Sequence, residues 1–145
     1  MAVTVKKVTL WRKEVPHSPG VLADVLTALA EAGVNLQVVM GYTFPGETGR
    51  AAIEVFPIAG KKAATAASAA GLSASPIACL HVEGNDRAGL GGEMARAVAD
   101  KGINISFVIA ETVGRKFSAV FGFQSDGDAT IAAKAIKSAA KPRRR

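Results

Sequence analysis

The sequence predicts an α+β protein in which helices cover one face of antiparallel β-sheets, and it predicts this arrangement twice in one chain. Three observations lead to this prediction. The phrase Gly-aliphatic-Asn-aliphatic occurs at Gly33 and again at Gly102, a separation of 69 residues. Strand-like and helix-like patterns follow the same order around both phrases, and each copy ends in an alanine-rich segment. A repeat of this kind indicates the architecture before local structure is considered.

The repeat extends well beyond the shared phrase. The segments EAGVNLQVVM (31–40) and DKGINISFVI (100–109) match at this offset, and so do Gly20 and Gly89 further upstream. We therefore expect a first repeat over residues 1–72, a second over 73–140 and a disordered basic tail over 141–145. A unit of roughly 70 residues is small for a domain and is expected to depend on its partner copy.

The first repeat is predicted to have the element order β-α-β-β-α. The phrase HSPG predicts the start of the first helix, with Ser18 as its N-cap and Pro19 in its first turn. Gly33 is expected to end this helix. The predicted strands cover 2–15, 34–44 and 50–58, and the second helix covers about 60–71. The helix face expected in the core consists of Leu22, Val25, Leu26 and Leu29.

The second repeat follows the same order. Asp126 and Asp128 are interpreted as a turn and an N-cap before the last helix. The predicted strands cover 76–83, 103–112 and 116–124, and the helices cover about 88–101 and 128–140. The face of the second strand expected in the core consists of Ile103, Ile105, Phe107 and Ile109.

Helices on one face of such a sheet define a ferredoxin-like unit, βαββα(β), but each repeat is one strand short. The complete unit has a fourth strand beside the first, and the sequence offers none at the end of either copy. We expect the first-strand edges, around 3–12 and 76–83, to be covered by strand pairing within or between chains in a continuous sheet. A homodimer is therefore expected.

Composition narrows the class of protein. Of 145 residues, 49% are hydrophobic and 21% are charged, which is typical of a folded globular chain. No apolar run approaches the ~18 residues of a membrane span, and the N-terminus lacks the apolar core of a signal peptide. We expect a cytoplasmic protein without membrane contact. Cys79 is the single cysteine; it excludes an internal disulfide and is expected to be buried.

The net charge of +6 does not predict a nucleic-acid-binding protein, because much of it lies at one end. The tail KPRRR (141–145) holds four of the 18 lysines and arginines, so residues 1–140 carry 14 basic against 12 acidic side chains. The sequence also lacks RNA-binding aromatic motifs, zinc-finger spacings and helix-turn-helix phrases.

Patterns of catalysis and metal binding are weak. His17 lies in a loop and His81 in a predicted strand, and neither has the spacing to other ligands that a metal site or an activating base needs. We expect no enzyme activity, no metal and no other cofactor. Gly91 and Gly92 fall in the first turn of a predicted helix, where each costs roughly 1 kcal/mol against alanine. They predict close approach of the backbone to a ligand or another helix.

One pattern in the chain consists of a strand, a loop ending in Pro-Gly-aliphatic, a helix and then Gly-aliphatic-Asn-aliphatic. This pattern resembles the ACT domain, a small regulatory module that binds amino acids. The pattern reads VPHSPGVLADVLTALAEAGVNL (15–36) in the first copy and EGNDRAGLGGEMARAVADKGINI (83–105) in the second. The resemblance covers both copies. The first copy has His-Ser where the family often has an acidic residue, and the second has Ala88 in place of proline.

The residues of this motif suit an amino-acid ligand on chemical grounds. Gly20 and Gly89 lie at helix N-termini, where unpaired N–H groups and the helix dipole favour a carboxylate. Asn35 and Asn104 each carry an amide that both donates and accepts, as a ligand with a carboxylate and an ammonium requires. The alternative is that these residues only cap helices and satisfy turns.

The resemblance implies a tandem ACT protein, a non-catalytic regulatory module that binds a small amino-acid-like effector at the interface between repeats. A homodimer and a regulated protein partner are further expectations. The alternative is a ligand-free regulatory subunit that serves protein interaction or dimerisation. The residues implicated are His17, Ser18, Gly20, Val21 and Asn35 in one copy and Asn85, Asp86, Gly89, Leu90 and Asn104 in the other.

Overall fold

The structure, a computed structural model, describes residues 3–140, so the expected basic tail at 141–145 lies outside the described residues. The chain forms two compact units. The first unit is Thr9–Pro76, and the second unit joins the described residues 3–8 to residues 77–140. The single strand predicted over 2–15 is therefore wrong. It is two strands, β1 (Thr4–Val8) in the second unit and β2 (Trp11–Pro16) in the first.

The elements of the first unit after β2 are α1 (Val21–Glu31), β3 (Val38–Thr43), β4 (Arg50–Phe56), α2 (Lys61–Ala69) and β5 (Ser73–Ala74). The strands form one antiparallel sheet with the order β3-β4-β2-β5. The hairpin of β3 and β4 begins later than predicted, because residues 34–37 are not part of a strand.

The elements of the second unit after β1 are β6 (Ala78–Asn85), α3 (Leu90–Asp100), β7 (Phe107–Val113), β8 (Lys116–Phe123) and α4 (Asp126–Ala139). Its sheet has the strand order β1-β6-β8-β7 and is again antiparallel throughout. The N-terminal strand is the edge strand beside β6, with Val5 opposite Val82.

Each sheet therefore contains the fourth strand that the sequence did not reveal. In the first unit the fourth strand is β5, which has two residues and pairs with Trp11 and Arg12. In the second unit it is β1, which covers β6 from Cys79 to Glu83. The first-strand edges are covered by pairing within the chain, as expected, but in two separate sheets. Within the chain the strands form two separate sheets rather than one continuous sheet, because each unit has its own edge strand, and a continuous sheet formed between chains stays a prediction.

Each unit has its own hydrophobic core under its helices. In the first unit Val25 and Leu29 of α1 pack on Ile53 and Val55 of β4. Leu22, which was expected on this face, is 40% exposed, because the buried stripe begins at Val21 instead. The second core is formed mainly by residues of β6, β8, α3 and α4, and includes Val3, Val5, Leu80, Val82, Met94, Val98, Phe121, Phe123 and Ile136.

The core face predicted for 103–109 is correct for Ile103 and Ile105 and wrong for the two residues that follow. Gly122 lies between the core residues Phe121 and Phe123, so it faces the other side of the sheet. Phe107 pairs with Gly122 and rests against it. Ile109, on the same side, is 49% exposed. The predicted alternation of core-facing residues does not hold, because residues 103–106 precede β7 and do not continue its register.

Three local predictions are also corrected. The N-cap of α1 is Gly20 rather than Ser18. The N-cap of α4 is Ser125 rather than Asp128, because the Ser125 hydroxyl accepts a hydrogen bond of 3.0 Å from the Asp128 N–H. A Cβ at Gly91 or Gly92 would meet nothing within 4 Å outside the backbone of its own helix, so the predicted approach of another helix is not seen there among the described residues, and the approach of a ligand stays a prediction.

Cys79 is buried, as predicted. Among the helices of the described residues, none combines the length and the apolarity that crossing a membrane requires.

Candidate functional site

The two glycine loops have the same backbone design. Gly20 and Gly89 adopt left-handed conformations, with φ of 92° and 87°, and each is the N-cap of the helix that follows it. Because glycine has no side chain, neither N-cap accepts a hydrogen bond from the first-turn N–H groups, whereas the N-cap of α4 is Ser125, whose hydroxyl does. Glycine is required at both positions by the backbone angle rather than by crowding. The first turn of α1 therefore presents N–H donors that its N-cap does not occupy, whereas in α3 the Leu90 N–H donates to the Arg87 carbonyl at 3.3 Å.

Both loops are anchored to the tip of the hairpin that follows them. The His17 N–H donates to the Gly49 carbonyl at 2.9 Å, and the Asp86 N–H donates to the Arg115 carbonyl at 2.8 Å. The side chains of His17, Ser18 and Asp86 are exposed. The backbone of each loop is thus held in place while its polar side chains remain accessible.

The second loop is more occupied by its own contacts than the first. Asn85 accepts a hydrogen bond of 2.8 Å from the Lys116 ammonium, and Arg87 is paired with Glu93 of α3 at 2.9 Å. Leu90 is 2% exposed and belongs to the core, whereas the equivalent Val21 is half-buried. Of the two loops, the one at 16–21 has more free polar surface.

The two asparagines are exposed, but they lie far from the glycine loop of their own unit. Asn35 follows the C-terminal end of α1 and Asn104 follows that of α3, while the glycine loops precede these helices. Each helix has 11 residues, so at 1.5 Å per residue its two ends are about 16 Å apart. A single unit does not bring the predicted site residues together. A shared site would need the loop of one unit and the asparagine of another.

A buried polar cluster on the first sheet was not predicted. Glu54 is fully buried, and its carboxylate accepts a hydrogen bond of 2.8 Å from the Tyr42 hydroxyl. Arg12 is its cross-strand partner and donates to Glu14 at 3.0 Å. Burial raises the pKa of Tyr42, and the hydrogen bond to Glu54 raises it further. The hydrogen bond from Arg12 holds the pKa of Glu14 below its usual range.

The partners of His81 were also missed by the sequence analysis. Its Nε2 lies 3.3 Å from the Ser118 hydroxyl, and its Nδ1 lies 3.3 Å from the Glu83 carboxylate. This serine-histidine-carboxylate order is the one found in acyl-transfer enzymes. However, Ser118 lies on β8, an inner strand with neighbours on both sides, so the surrounding backbone N–H groups belong to the sheet ladders. In the described part of the chain, the N–H groups that flank Ser118 are engaged in the sheet and do not form an oxyanion hole.

Among the described residues, no group of three or more histidine, cysteine, aspartate or glutamate side chains is placed to hold a metal ion. No protein-family model matches the sequence, and no curated protein sequence matches it.

Solved structures do resemble the fold. The ligand-free regulatory subunit of aspartate kinase from Thermus thermophilus superposes with a TM-score of 0.63 at 22% identity. The match covers 97% of this chain and 98% of that one, so it includes both units. The fold is of the ACT type.

Two further structures resemble the chain over most of its length. A protein from Bacteroides thetaiotaomicron matches with a TM-score of 0.74 at 12% identity, over 90% of this chain and 88% of that one. Escherichia coli aspartokinase III, solved with lysine and aspartate, matches with a TM-score of 0.53 at 15% identity. That match covers 97% of this chain and 33% of the enzyme. At these identities the ACT-type likeness establishes the fold.

Proposed function

We propose that this chain is a non-catalytic regulatory subunit that binds a small amino-acid effector at an interface between ACT-type units. The observation that carries the proposal is the uncapped N-terminus of α1 on the left-handed Gly20, within a chain that matches regulatory subunits of aspartate kinase over nearly its full length. By analogy with these neighbours, the regulated partner is an enzyme subunit.

In this mechanism the backbone N–H groups that follow Gly20 hold the carboxylate of the effector. The Asn35 or Asn104 amide of a neighbouring unit bonds the remaining polar groups. Such a ligand joins two units, so its binding favours one arrangement of the interface over another. The size of the regulatory effect is limited by the difference in the ligand's affinity for the two arrangements.

The loop at 16–21 is the better candidate for the carboxylate. The corresponding loop of the second unit has its Asn85 and Arg87 side chains already bonded to Lys116 and Glu93. It also carries the exposed carboxylate of Asp86 where the first loop has His17. A second carboxylate would be repelled there.

The proposal is tested by calorimetry of the full chain with each of the twenty amino acids, followed by Asn35→Ala. We expect one effector to bind, and we expect the substitution to weaken it by about 0.5–1.5 kcal/mol per lost hydrogen bond. Folding should be unaffected because Asn35 is exposed. Thr27→Ala, an exposed position in the middle of α1, is the matched control and should leave affinity unchanged.

The second candidate function is a ligand-free interaction module. It is favoured by the edge strand β7, where Val108, Ile109 and Val113 are 53%, 49% and 67% exposed. Such apolar side chains on an open strand edge suit pairing with another protein or a second copy. Two results together would favour this function over the first. No amino acid would bind at millimolar concentration, and the chain would form an oligomer that Ile109→Lys dissociates.

A further inference from the structure

The first unit contains a partly open cleft of about 190 Å³. Its walls come from β2, α1 and the C-terminal end of α2, and all of its lining residues lie within the first unit. It shares only Val21 with the predicted interface residues. The residues that determine its chemistry are Lys13, Val15, Asp24, Val25, Ala28 and Ala70.

The cleft exists because the fourth strand of this unit is short. β5 pairs only with Trp11 and Arg12, so β2 has no neighbour on that side from Lys13 onward. The adjacent helix, α2, has nine residues and consists mainly of alanine and lysine, and Ala67 is its single buried residue. Small side chains and a missing strand leave space over the second half of β2.

The equivalent region of the second unit is filled. At the repeat offset, Lys13 corresponds to Val82 and Val25 to Met94, and both of these residues are fully buried. The strand β1 runs along β6, and Val3 packs against Gly84, where a Cβ would come within 2.8 Å of it. Asp24 corresponds to Glu93, which is paired with Arg87. The two copies have therefore diverged at this place, and the cleft with its charges belongs to the first copy.

Lys13 is positioned by the fold. Its side chain is half-buried and passes over Gly71, and its ammonium donates to the Ala70 carbonyl at 3.0 Å. That contact uses one of the three N–H donors of the ammonium. The α2 C-terminus offers only a partial negative charge. In the part of the chain that the structure describes, Lys13 has no carboxylate partner, so a half-buried cation retains donors for an anion.

Asp24 supplies the opposite charge at the same cleft. It lies in the first turn of α1, is exposed, and forms no ion pair with the described residues. The rest of the lining is apolar and includes Val15, Val25 and Ala28. A ligand that matches this lining has a carboxylate, an ammonium and a short aliphatic part.

We propose that this cleft binds a small aliphatic α-amino acid as its zwitterion. The ligand carboxylate pairs with Lys13, its ammonium pairs with Asp24, and its side chain lies against the valines. The volume of about 190 Å³ is below the roughly 300–1,000 Å³ of pockets for drug-sized molecules, which suits a small ligand such as an aliphatic amino acid. This site is distinct from the interface site of the proposed function and does not require a second unit.

The test uses the full chain with L-valine, isovalerate and valinamide in calorimetry. Isovalerate lacks the ammonium and valinamide lacks the carboxylate, so each should bind at least tenfold more weakly than valine. Lys13→Met and Asp24→Asn should each weaken valine binding by a similar factor. The matched controls Lys62→Met and Asp100→Asn remove exposed charges elsewhere and should change nothing. Amide shifts induced by valine should cluster at residues 13–16, 21–28 and 70.

The outcomes separate this site from the interface site. The cleft is supported if Lys13→Met or Asp24→Asn weakens valine binding and Asn35→Ala does not. Binding that Asn35→Ala weakens and the other two substitutions leave unchanged belongs to the interface site. Failure of valine to bind, or amide shifts confined to other residues, overturns the cleft. If Lys13→Met does not fold, as judged by Trp11 fluorescence in thermal unfolding, Asp24→Asn decides, because that carboxylate is exposed.

Discussion

At the scale of single residues, the pKa of Tyr42 depends on Glu54, the fully buried acidic side chain of the first unit. It is the single tyrosine of the chain, and its hydroxyl donates to the fully buried Glu54. A buried carboxylate is costly unless it is paired and hydrogen-bonded. The Tyr42 hydroxyl supplies one such hydrogen bond, to Oε2, and Arg12 lies opposite Glu54 across the strands, while Oε1 has no hydrogen-bond partner among the described residues. The pKa of Tyr42 therefore measures how well the cluster is formed.

We predict that Tyr42 ionises at higher pH in the folded protein than in the unfolded chain, where the pKa of a tyrosine is about 10. Its pKa is raised by burial first and by the hydrogen bond to Glu54 second. A raised pKa means that the folded state holds the proton more tightly. This contribution to stability is present below pH ~10 and is lost as the pH rises through the folded value. Near-ultraviolet absorbance of the phenolate, with and without urea, measures both midpoints.

Glu54→Gln provides the control for this titration. It removes the neighbouring negative charge but leaves the burial, so the folded midpoint should fall toward that of the unfolded chain without reaching it. Identical midpoints in the folded and unfolded protein would contradict the predicted cluster.

Single residues differ in how far the sequence predicts them. The exposure of Asn35 follows from its position between apolar residues in an alternating segment. The burial of Glu54 does not, because an alternating pattern places a charged residue on the solvent face. Its partners Arg12 and Tyr42 reach it only through the register of three strands. The environment of Lys13 depends on β5 stopping after two residues, which no local pattern indicates.

At the scale of elements, Gly122 determines how β7 and β8 pack. It has no positive φ, so its importance lies in contact rather than backbone conformation. A Cβ at this position would come within 2.1 Å of the Phe107 ring. We predict that Gly122→Ala displaces the ring and destabilises the protein by about 1–3 kcal/mol. Urea denaturation followed by circular dichroism measures the loss.

Gly91→Ala should change the free energy of unfolding in the opposite direction. Gly91 lies inside α3, without a positive φ and with open space where its Cβ would be. Alanine is better than glycine in a helix by about 0.8–1 kcal/mol, so this substitution should stabilise. Both substitutions are measured in the same denaturation experiment. If Gly122→Ala stabilised the protein, or if Gly91→Ala destabilised it, the surroundings described for that glycine would be wrong.

The elements themselves were largely predictable, because helices and strands of the two repeats have strong periodic patterns. The break within 2–15 was not. Residues Thr9 and Leu10, which separate β1 from β2, include no glycine or proline, so the β-branched run gives no sign of interruption. The strand is divided because each of the two sheets needs an edge strand, and this is a requirement of the tertiary structure rather than of the local sequence. For the same reason the fourth strands were missed.

At the scale of the whole molecule, the chain places its first strand in the unit that contains its C-terminal half. β1 pairs with β6 from Thr4 opposite Glu83 to Val8 opposite Cys79. Val3 and Val5 are each 8% exposed and belong to the second core. The N-terminus therefore stabilises residues more than 70 positions away, although the first unit follows it directly in sequence.

We predict that deletion of residues 1–8 destabilises the second unit and leaves the first unit folded. The deletion exposes the edge of β6 and removes Val3 and Val5 from the core, at roughly 1.5–3 kcal/mol for each buried valine. Hydrogen exchange should accelerate at the amides of β6 and β8 and stay unchanged at those of β4. Trp11, the single tryptophan, lies in the first unit, so its fluorescence should keep its native value.

Val5→Ala is the milder version of this experiment, because it keeps the strand and its hydrogen bonds and removes only buried volume. It should destabilise the second unit by less than the deletion does, with the same pattern of exchange. The reverse pattern, faster exchange at β4 together with a change in Trp11 fluorescence, would assign β1 to the first unit. It would restore the single strand over 2–15 that the sequence pattern alone favours, since β1 would then continue directly into β2.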